Sequence, residues 1–244
     1  MTRTFYDSLG LNEDIELDLS MLEAQGTILH DESKNHIIAT QHKSAGTIVW
    51  DALASGRYGI FLNNQRIMGV YVAKQYLDAP AVDTLNLDFT NGDYSLAIWF
   101  RWTFQTVSQI LFGKYVVNNC GWEVYLHKSL GNCSVTVRHH HAGGATLRTA
   151  SYSYGWEDDG TERLFSYSRI GGNCQHYLNG EPVTTVVSAG GLIDPESSAA
   201  RDLIIGVRYS LDTNFFYGHF HRPRAWSRAL APEEHRLLYR LGKP

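Results

Sequence analysis

The chain has 244 residues, of which 12% are aromatic and 19% charged, and 21 Lys and Arg against 25 Asp and Glu leave a formal net charge of −4. An intrinsically disordered chain is excluded, because such chains lack large apolar groups and carry a high net charge. No basic excess is present to neutralise phosphates, and no segment approaches the roughly 18 apolar residues of a membrane-spanning helix. We therefore expect neither nucleic-acid binding nor membrane insertion.

The first residues and the cysteines bear on the compartment. The N-terminal segment has no apolar core region and no small-residue cleavage site, so it predicts no secretory signal. Cys120, Cys133 and Cys174 cannot all pair within one chain, and we expect three reduced thiols in a protein made in a cytoplasm. The predicted organisation is a short N-terminal arm, residues 1–13, followed by a single domain, residues 14–244.

Strands are predicted along most of the chain. Weak candidates come first, at 15–19, 47–50 and 67–73. The clearest pattern is 93–103, where every second residue is apolar and faces one side, with Trp99 as an exception on the other side. Alternating runs at 122–127 and 133–138, separated by a polar segment with Gly and Asn, predict a hairpin. Further strands are predicted at 146–152, 163–170, 175–178, 203–207 and 215–226.

One segment near the end of the chain has the pattern of a helix. Pro232 suits a first helical position, acidic Glu233 and Glu234 follow in the first turn, and Gly242 suits the end. Many short strands with one terminal helix predict an all-β protein. The expected architecture is a two-sheet antiparallel β-sandwich, or jelly roll, with one short C-terminal helix.

Several motifs, taken in order, resemble the laminin-G-like group of the concanavalin A-like jelly rolls. They are the turn-like element at 27–36, the segment 75–80 followed by the strand at 93–100, the strand 110–114, Tyr-Leu-Asn-Gly at 177–180, the strand 203–206 and the ending at 217–234. The resemblance covers about residues 16–241. It implies two stacked antiparallel sheets, one concave and one convex. It implies no single function, because this fold is used by lectins, adhesion modules, enzymes and virion components.

A catalytic version of the fold is represented by the laminarinase-type glucanases, whose signature is Glu-x-Asp-x-x-Glu on one strand. Such a strand brings two carboxylates to the separation that retaining glycosidases need. Glu16 and Asp18 begin the pattern, but Met21 stands where the general acid is required. We therefore predict an edge strand with solvated acids, no catalytic residues, and a protein that is not an enzyme.

A calcium site is the open alternative to a protein without a cofactor. Many relatives of this fold hold calcium with acids near the chain end, whereas this chain has His221 and Arg222 at the corresponding positions. Asp31 and Asn35 could still offer the oxygen ligands that Ca²⁺ prefers. The interpretation that we favour for Asp31 and Asn35 is a turn stabilised by their side chains, without an ion.

Exposed aromatic side chains are the candidates for ligand binding. Trp99 lies opposite the apolar face of its strand, and Tyr152, Tyr154 and Trp156 share a parity in or beside a loop. These rings could stack on sugars, pack in a core that needs many aromatics, or contact neighbouring subunits.

The absence of a catalytic signature favours a non-catalytic structural and binding module. Our first hypothesis is a virion-associated protein, for capsid decoration or in a tail, made in the host cytoplasm. It would assemble with itself and with other structural subunits, and its loops would touch surface glycans. The alternatives are a stand-alone extracellular lectin domain and, third, a glycoside hydrolase of the same fold.

Overall fold

The computed structural model describes residues 10–53, 57–129, 132–141, 146–154, 160–187 and 194–242, with the backbone alone described at 129 and 146–154. Within these ranges the chain forms nineteen strands and one α-helix, α1 (Pro232–Gly242). The strands are β1 (Ile15–Asp18), β2 (Ile28–His30), β3 (Ile38–His42), β4 (Val49–Ala52), β5 (Tyr58–Leu62), β6 (Arg66–Ile67), β7 (Val70–Tyr71), β8 (Tyr76–Ala79), β9 (Tyr94–Trp102), β10 (Gln109–Val116), β11 (Cys120–Ser129), β12 (Asn132–His140), β13 (Thr146–Tyr154), β14 (Arg163–Ile170), β15 (Asn173–Leu178), β16 (Glu181–Val183), β17 (Val186–Val187), β18 (Leu203–Ile205) and β19 (Gly218–Trp226).

The first sheet has the order β16-β15-β14-β9-β19-β5-β4, with β1 also paired to β19, and all of its pairs are antiparallel. β5 pairs with the first part of β19 and β1 with its last part. Between these parts the register shifts, where Arg222 has a φ of +50° and Pro223 follows. Proline cannot donate to a ladder and is found at such bulges, so this is where one long strand exchanges partners.

The second sheet has the order β17-β13-β12-β11-β10-β18-β8-β3-β2 and is also antiparallel throughout. The two sheets stack on one large apolar core. The alternation predicted for 93–103 is confirmed, because every second residue of β9 from Tyr94 to Trp102 belongs to this core. Trp122, Val124 and Leu126 of β11 enter it from the other sheet. The predicted all-β jelly-roll sandwich with one C-terminal helix is confirmed.

The helix α1 covers the outer face of the first sheet. Leu238 of the helix belongs to a second apolar cluster with Trp99 of β9, Leu164 of β14 and Trp226 of β19. The contact is close, since a Cβ added at Gly242 would lie 2.7 Å from the indole nitrogen of Trp99. The apolar side of the helix therefore finds its partner on the sheet, which accounts for most of its stability.

Two features that the sequence predicts for the first third of the chain differ from the structure. The predicted strand 67–73 is wrong, because the chain reverses at Met68 and Gly69 and forms the two short strands β6 and β7. The acids of the predicted edge strand are not solvated as expected, because Glu16 and Asp18 of β1 are both buried. β1 pairs with β19, a strand some 200 residues away, and no local pattern carries that information.

The division into an arm and a domain stays a prediction. From Gly10 onward the described part of the predicted arm packs on the sandwich: Leu11 is buried, and its carbonyl accepts a hydrogen bond from the Trp226 indole at 2.8 Å. Cys120, Cys133 and Cys174 form no disulfide, and the first two are buried. Among the described residues, no helix combines the length and apolar content that crossing a bilayer requires.

Three histidines are buried within the sandwich and beneath the helix. Burial lowers the pKa of His176, His221 and His235 to about 3 each. The ring of His235 is held between the hydroxyls of Ser166 and Ser168, at 2.7 and 2.8 Å. These contacts suit a neutral imidazole, which donates one hydrogen bond and accepts another.

Acidification is therefore expected to destabilise the fold. Between pH 6.5 and 3 the unfolded chain protonates these histidines while the folded chain does not, so stability is lost as the pH falls through this window. Each histidine contributes up to about 1.4 kcal/mol per pH unit. Urea denaturation at pH 7 and pH 5 measures the loss. The variant His176→Phe, placed against the rings of Phe165 and Tyr167, should show a shallower pH dependence; an unchanged slope would contradict the assignment.

Candidate functional site

Asp18, one of the two acids that resemble the start of a glucanase signature, is an ion-pairing residue. Its carboxylate accepts hydrogen bonds from Arg222 Nε and Nη2 at 2.9 Å, and from Arg224 Nε at 2.9 Å. Both arginines lie on β19, beside the bulge. Asp18 therefore joins β1 to β19, and its oxygens are occupied by protein donors.

Glu16 is also engaged by neighbouring side chains. Its carboxylate accepts hydrogen bonds from Lys34 Nζ at 2.9 Å, Asn35 Nδ2 at 2.8 Å and Ser227 Oγ at 2.8 Å. Burial by itself raises the pKa of Glu16, but these three donors outweigh it and hold the pKa below its ordinary value. Glu16 is thus an ionised structural residue and not a poised general acid.

Asp31 and Asn35, the two candidate calcium ligands, organise a turn. The Asp31 carboxylate is buried and accepts hydrogen bonds from the backbone N–H groups of Asp18, Ser33 and Ile37, and from the Ser33 hydroxyl. The Asn35 amide donates to the carbonyl and the carboxylate of Glu16. Within the described part of the chain, no group of three or more His, Cys, Asp or Glu side chains is arranged to hold a metal ion.

The four candidate aromatic residues are not brought together on an open face that the structure describes. Trp99 is 3% exposed and lies between the rings of His221 and Tyr239, at 5.4 and 5.6 Å, beneath α1. This burial leaves neither face of the indole open to a sugar. For Tyr152 and Tyr154 the structure describes backbone pairing only, with β12, and Trp156 lies outside the described residues.

A cleft of about 370 Å³ opens instead where β9 ends, between the β6–β7 hairpin and the segment that leads into β19. We call it the rim cleft. None of the side chains that line it is acidic, although acids outnumber bases in the whole chain. The lining residues are Gln65, Arg66, Thr103, Phe104, Gln105, Thr106 and Tyr217.

A buried glutamine fixes two walls of the rim cleft. The Gln109 side-chain amide donates to the Thr103 carbonyl at 3.0 Å, and its oxygen accepts from the Tyr217 N–H at 2.7 Å. Thr103 and Tyr217 are further joined by a backbone hydrogen bond of 3.0 Å. The Gln105 amide donates to the Phe215 carbonyl at 3.4 Å. The cleft is therefore held open by the fold, as preformed ligand sites usually are.

The rim cleft has two aromatic walls. Phe104 packs edge-on against the core residue Trp102, with ring centroids 6.0 Å apart, and the Lys128 ammonium lies 4.7 Å from the Phe104 ring. The ring of Tyr217, the other aromatic residue of the lining, lies 5.9 Å from that of Phe61, which stacks on His219 at 4.6 Å. Both aromatic side chains are half-buried, so each is anchored in the fold and remains partly accessible.

The side chains around the cleft leave it polar and positively charged. No carboxylate among the described residues pairs with Arg66, whose Nε donates to the Gly69 carbonyl at 3.1 Å. The nearby acid Asp51 is hydrogen-bonded to His219 Nε2, and Arg101 Nη2 donates to His219 Nδ1 at 2.8 Å. Burial, assisted by Arg101 and opposed by Asp51, lowers the pKa of His219. This histidine is therefore neutral at pH 7.

Sequence reasoning did not identify the rim cleft. Its residues come from three segments, around 65, 103–106 and 217, which are neighbours only after the sheet has formed. The incorrect single strand predicted at 67–73 also concealed the hairpin that forms one wall. One local signal was present: Phe104 stands among polar residues directly after the strongest predicted strand, where a core aromatic is not expected.

Comparisons with known proteins agree with this architecture. Residues 73–234 match the laminin G model described as the concanavalin A-like lectin/glucanases superfamily. No curated protein matches the chain. Among solved structures, domain 4 of AbnA, a GH43 extracellular arabinanase from Geobacillus stearothermophilus in complex with arabinotriose, is 18% identical, with a TM-score of 0.62 over 93% of this chain and 98% of that one.

Toxin binding domains share the fold as well. The binding domain of Paraclostridial Mosquitocidal Protein 1 is 13% identical, with a TM-score of 0.65 over 93% of this chain and 52% of that chain. A botulinum neurotoxin type C structure, whose cell entry is described as dependent on two ganglioside molecules, is 12% identical, with a TM-score of 0.65 over 97% and 53%. This chain thus spans about half the length of these toxin domains.

The family match, over residues 73–234, covers well over half of the chain. The chain belongs to the concanavalin A-like lectin/glucanases superfamily.

Proposed function

We propose that the protein is a glycan-binding module without catalytic activity of its own, and that the sugar binds in the rim cleft. The observation that carries the proposal is that two half-buried aromatic residues, Phe104 and Tyr217, line one cleft together with polar side chains. The apolar face of a sugar ring packs on an aromatic side chain, and its hydroxyls need partners such as the Gln65 amide and the Thr106 hydroxyl.

The comparisons support this proposal by analogy. The arabinanase domain was solved with a bound arabinotriose, and this chain covers almost all of that domain. The structure of the neurotoxin whose cell entry depends on gangliosides has the same fold over about half of its chain. At 12–18% identity these similarities establish a common fold, so the carbohydrate specificity of this chain has to come from its own residues.

Replacing Tyr217 with alanine is expected to weaken glycan binding by about tenfold, which corresponds to about 1.4 kcal/mol. The change removes one wall of the rim cleft and leaves the backbone hydrogen bonds of residue 217 in place. A glycan array identifies the ligand, with arabinotriose as a first individual probe, and calorimetry measures the affinity.

Tyr58→Ala is the matched control, because this tyrosine is also exposed on the first sheet but does not line the cleft. It should bind as the parent protein does. Equal loss in both variants, or binding unaffected by Tyr217→Ala, would show that the sugar binds elsewhere.

The absence of catalysis is part of the proposal. It is supported by the state of Glu16 and Asp18, which are held by basic and amide side chains. The rim cleft has no acidic residue in its lining, whereas hydrolysis of a glycoside bond by the usual route needs two carboxyl groups.

A virion location and assembly with structural subunits remain a proposal drawn from the sequence. Its support is the use of this fold by virion components as well as by lectins and enzymes, together with the absence of a catalytic signature in the sequence. The alternative location is extracellular, as a separate lectin. If the protein is a virion component, it should be found bound to particles in purified virions and should form a defined homo-oligomer. A separate lectin needs to do neither.

A further inference from the structure

Beside the rim cleft stands a short, separate hairpin, which we call the tip hairpin (residues 65–72). β6 and β7 pair through Arg66 with Tyr71 and through Ile67 with Val70. The N–H of Val72 donates to the carbonyl of Gln65 at 2.9 Å and closes the base. The two strands form a sheet of their own, so the hairpin projects from the sandwich.

The turn of this hairpin uses an unfavourable residue. Met68 and Gly69 have φ values of +49° and +88°, and a two-residue turn with both φ positive is type I′, which favours Asn-Gly. This chain has another two-residue turn of similar geometry, at Asn179 and Gly180, with φ values of +53° and +82°, and there it uses Asn-Gly. The geometry of the turn therefore does not explain why position 68 is a methionine.

The tip is apolar and exposed. Met68 is fully exposed, and Ile67, Val70 and Val72 are 51%, 69% and 55% exposed. Single exposed apolar residues need no explanation, but four within six residues at the end of a projection form a patch of the kind that marks an interaction surface. The combination of a strained backbone and a fully exposed side chain suggests a functional role.

The base of the hairpin is held firmly, so the tip is presented in a fixed direction. The Tyr71 hydroxyl accepts a hydrogen bond from the Asn214 N–H at 3.0 Å, and the Tyr71 ring packs edge-on against the buried Phe215 at 4.7 Å. In residues 58–77 the only charged side chains are Arg66 and Lys74, and both are basic. The apolar tip is thus flanked by cations and by no acid of its own segment.

We propose that the tip hairpin contacts a lipid membrane, with its apolar end in the interfacial layer and its two cations at the level of anionic headgroups. A lipid surface accommodates a projecting convex tip without a matching pocket, and it combines apolar burial with attraction of basic residues. Because Arg66 also lines the rim cleft, docking would bring the cleft to the height of membrane-borne sugars. Only this last consequence rests on the proposed glycan binding.

The test uses vesicles that contain no sugar, so that it is independent of the glycan proposal. The full protein is mixed with vesicles of phosphatidylcholine and phosphatidylserine, and the bound fraction is measured by flotation. We expect the parent protein to float with the vesicles and Met68→Asn to bind about tenfold more weakly. Because asparagine suits the turn, the Tm of Met68→Asn should equal or exceed that of the parent, which separates lost binding from lost folding.

Val82→Asn is the matched control, because Val82 is 73% exposed on a different part of the surface and should leave flotation unchanged. The proposal is overturned if the parent protein does not bind these vesicles, or if Met68→Asn binds them as the parent does. It is also overturned if Met68→Asn abolishes a concentration-dependent dimer instead, because the tip would then be a contact between two copies of the chain.

Discussion

Replacing Trp102 with alanine is expected to lower the free energy of unfolding by about 3–5 kcal/mol. Trp102 ends β9, is 2% exposed and belongs to the core between the two sheets. Its removal leaves a large cavity in a close-packed region that can collapse only in part. The same change removes the ring that supports Phe104, so we expect it to loosen one wall of the rim cleft as well.

Urea denaturation at pH 7 measures this effect, with Leu22→Ala as the control. Leu22 is 73% exposed, and its truncation should change the stability by less than about 0.5 kcal/mol. A loss below about 1 kcal/mol for Trp102→Ala would mean that the face assigned to β9 is incorrect.

Replacing Asp18 with asparagine is expected to cost about 3–5 kcal/mol, although the side chain keeps its shape. The reason is electrostatic: Arg222 and Arg224 are mostly buried, and both point their guanidinium groups at the Asp18 carboxylate. Without that negative charge, two cations are left in a region of low dielectric with no compensation from Asp18. Chemical denaturation of parent and variant measures the difference.

Lys34→Gln is the matched control for Asp18→Asn. It removes a more exposed ion pair, which is formed with Glu16 of the same strand as Asp18. Lys34 pairs with Glu16 at 2.9 Å, but its side chain is 63% exposed, so the loss should stay below about 1 kcal/mol. If the two variants lose equal stability, burial does not distinguish the two pairs and the structural role given to Asp18 is incorrect.

Much of the fold is predictable from local patterns, because apolar residues at every second position mark the side of a strand that faces the core. The alternation around Trp102 and the first turn of α1 at Pro232 were both correctly predicted. The reversal at Met68 was not, because a turn that uses an unsuitable residue does not look like a turn. The motifs that resemble laminin-G-like domains led to the right family.

The candidate sites were predicted less well. Trp99 breaks the pattern of its strand, which left both a sugar-stacking position and a position in a core open, and the structure covers the indole with α1. The acids of β1 were expected to be solvated, since nothing near them in sequence hides them. In each case the covering element comes from the far end of the chain, and burial is a property of the assembled fold.

The sequence by itself determined the class of fold, the inward face of the main strand, the terminal helix and the family, because periodicity and turn chemistry are local. Only the tertiary structure decided that Asp18 is an ion-pairing residue, that Trp99 lies under a helix, and that Phe104 and Tyr217 line one cleft. The physical reason is that a binding site and a buried charge pair depend on antiparallel contacts between strands more than 100 residues apart. Such contacts leave no periodic trace in the sequence.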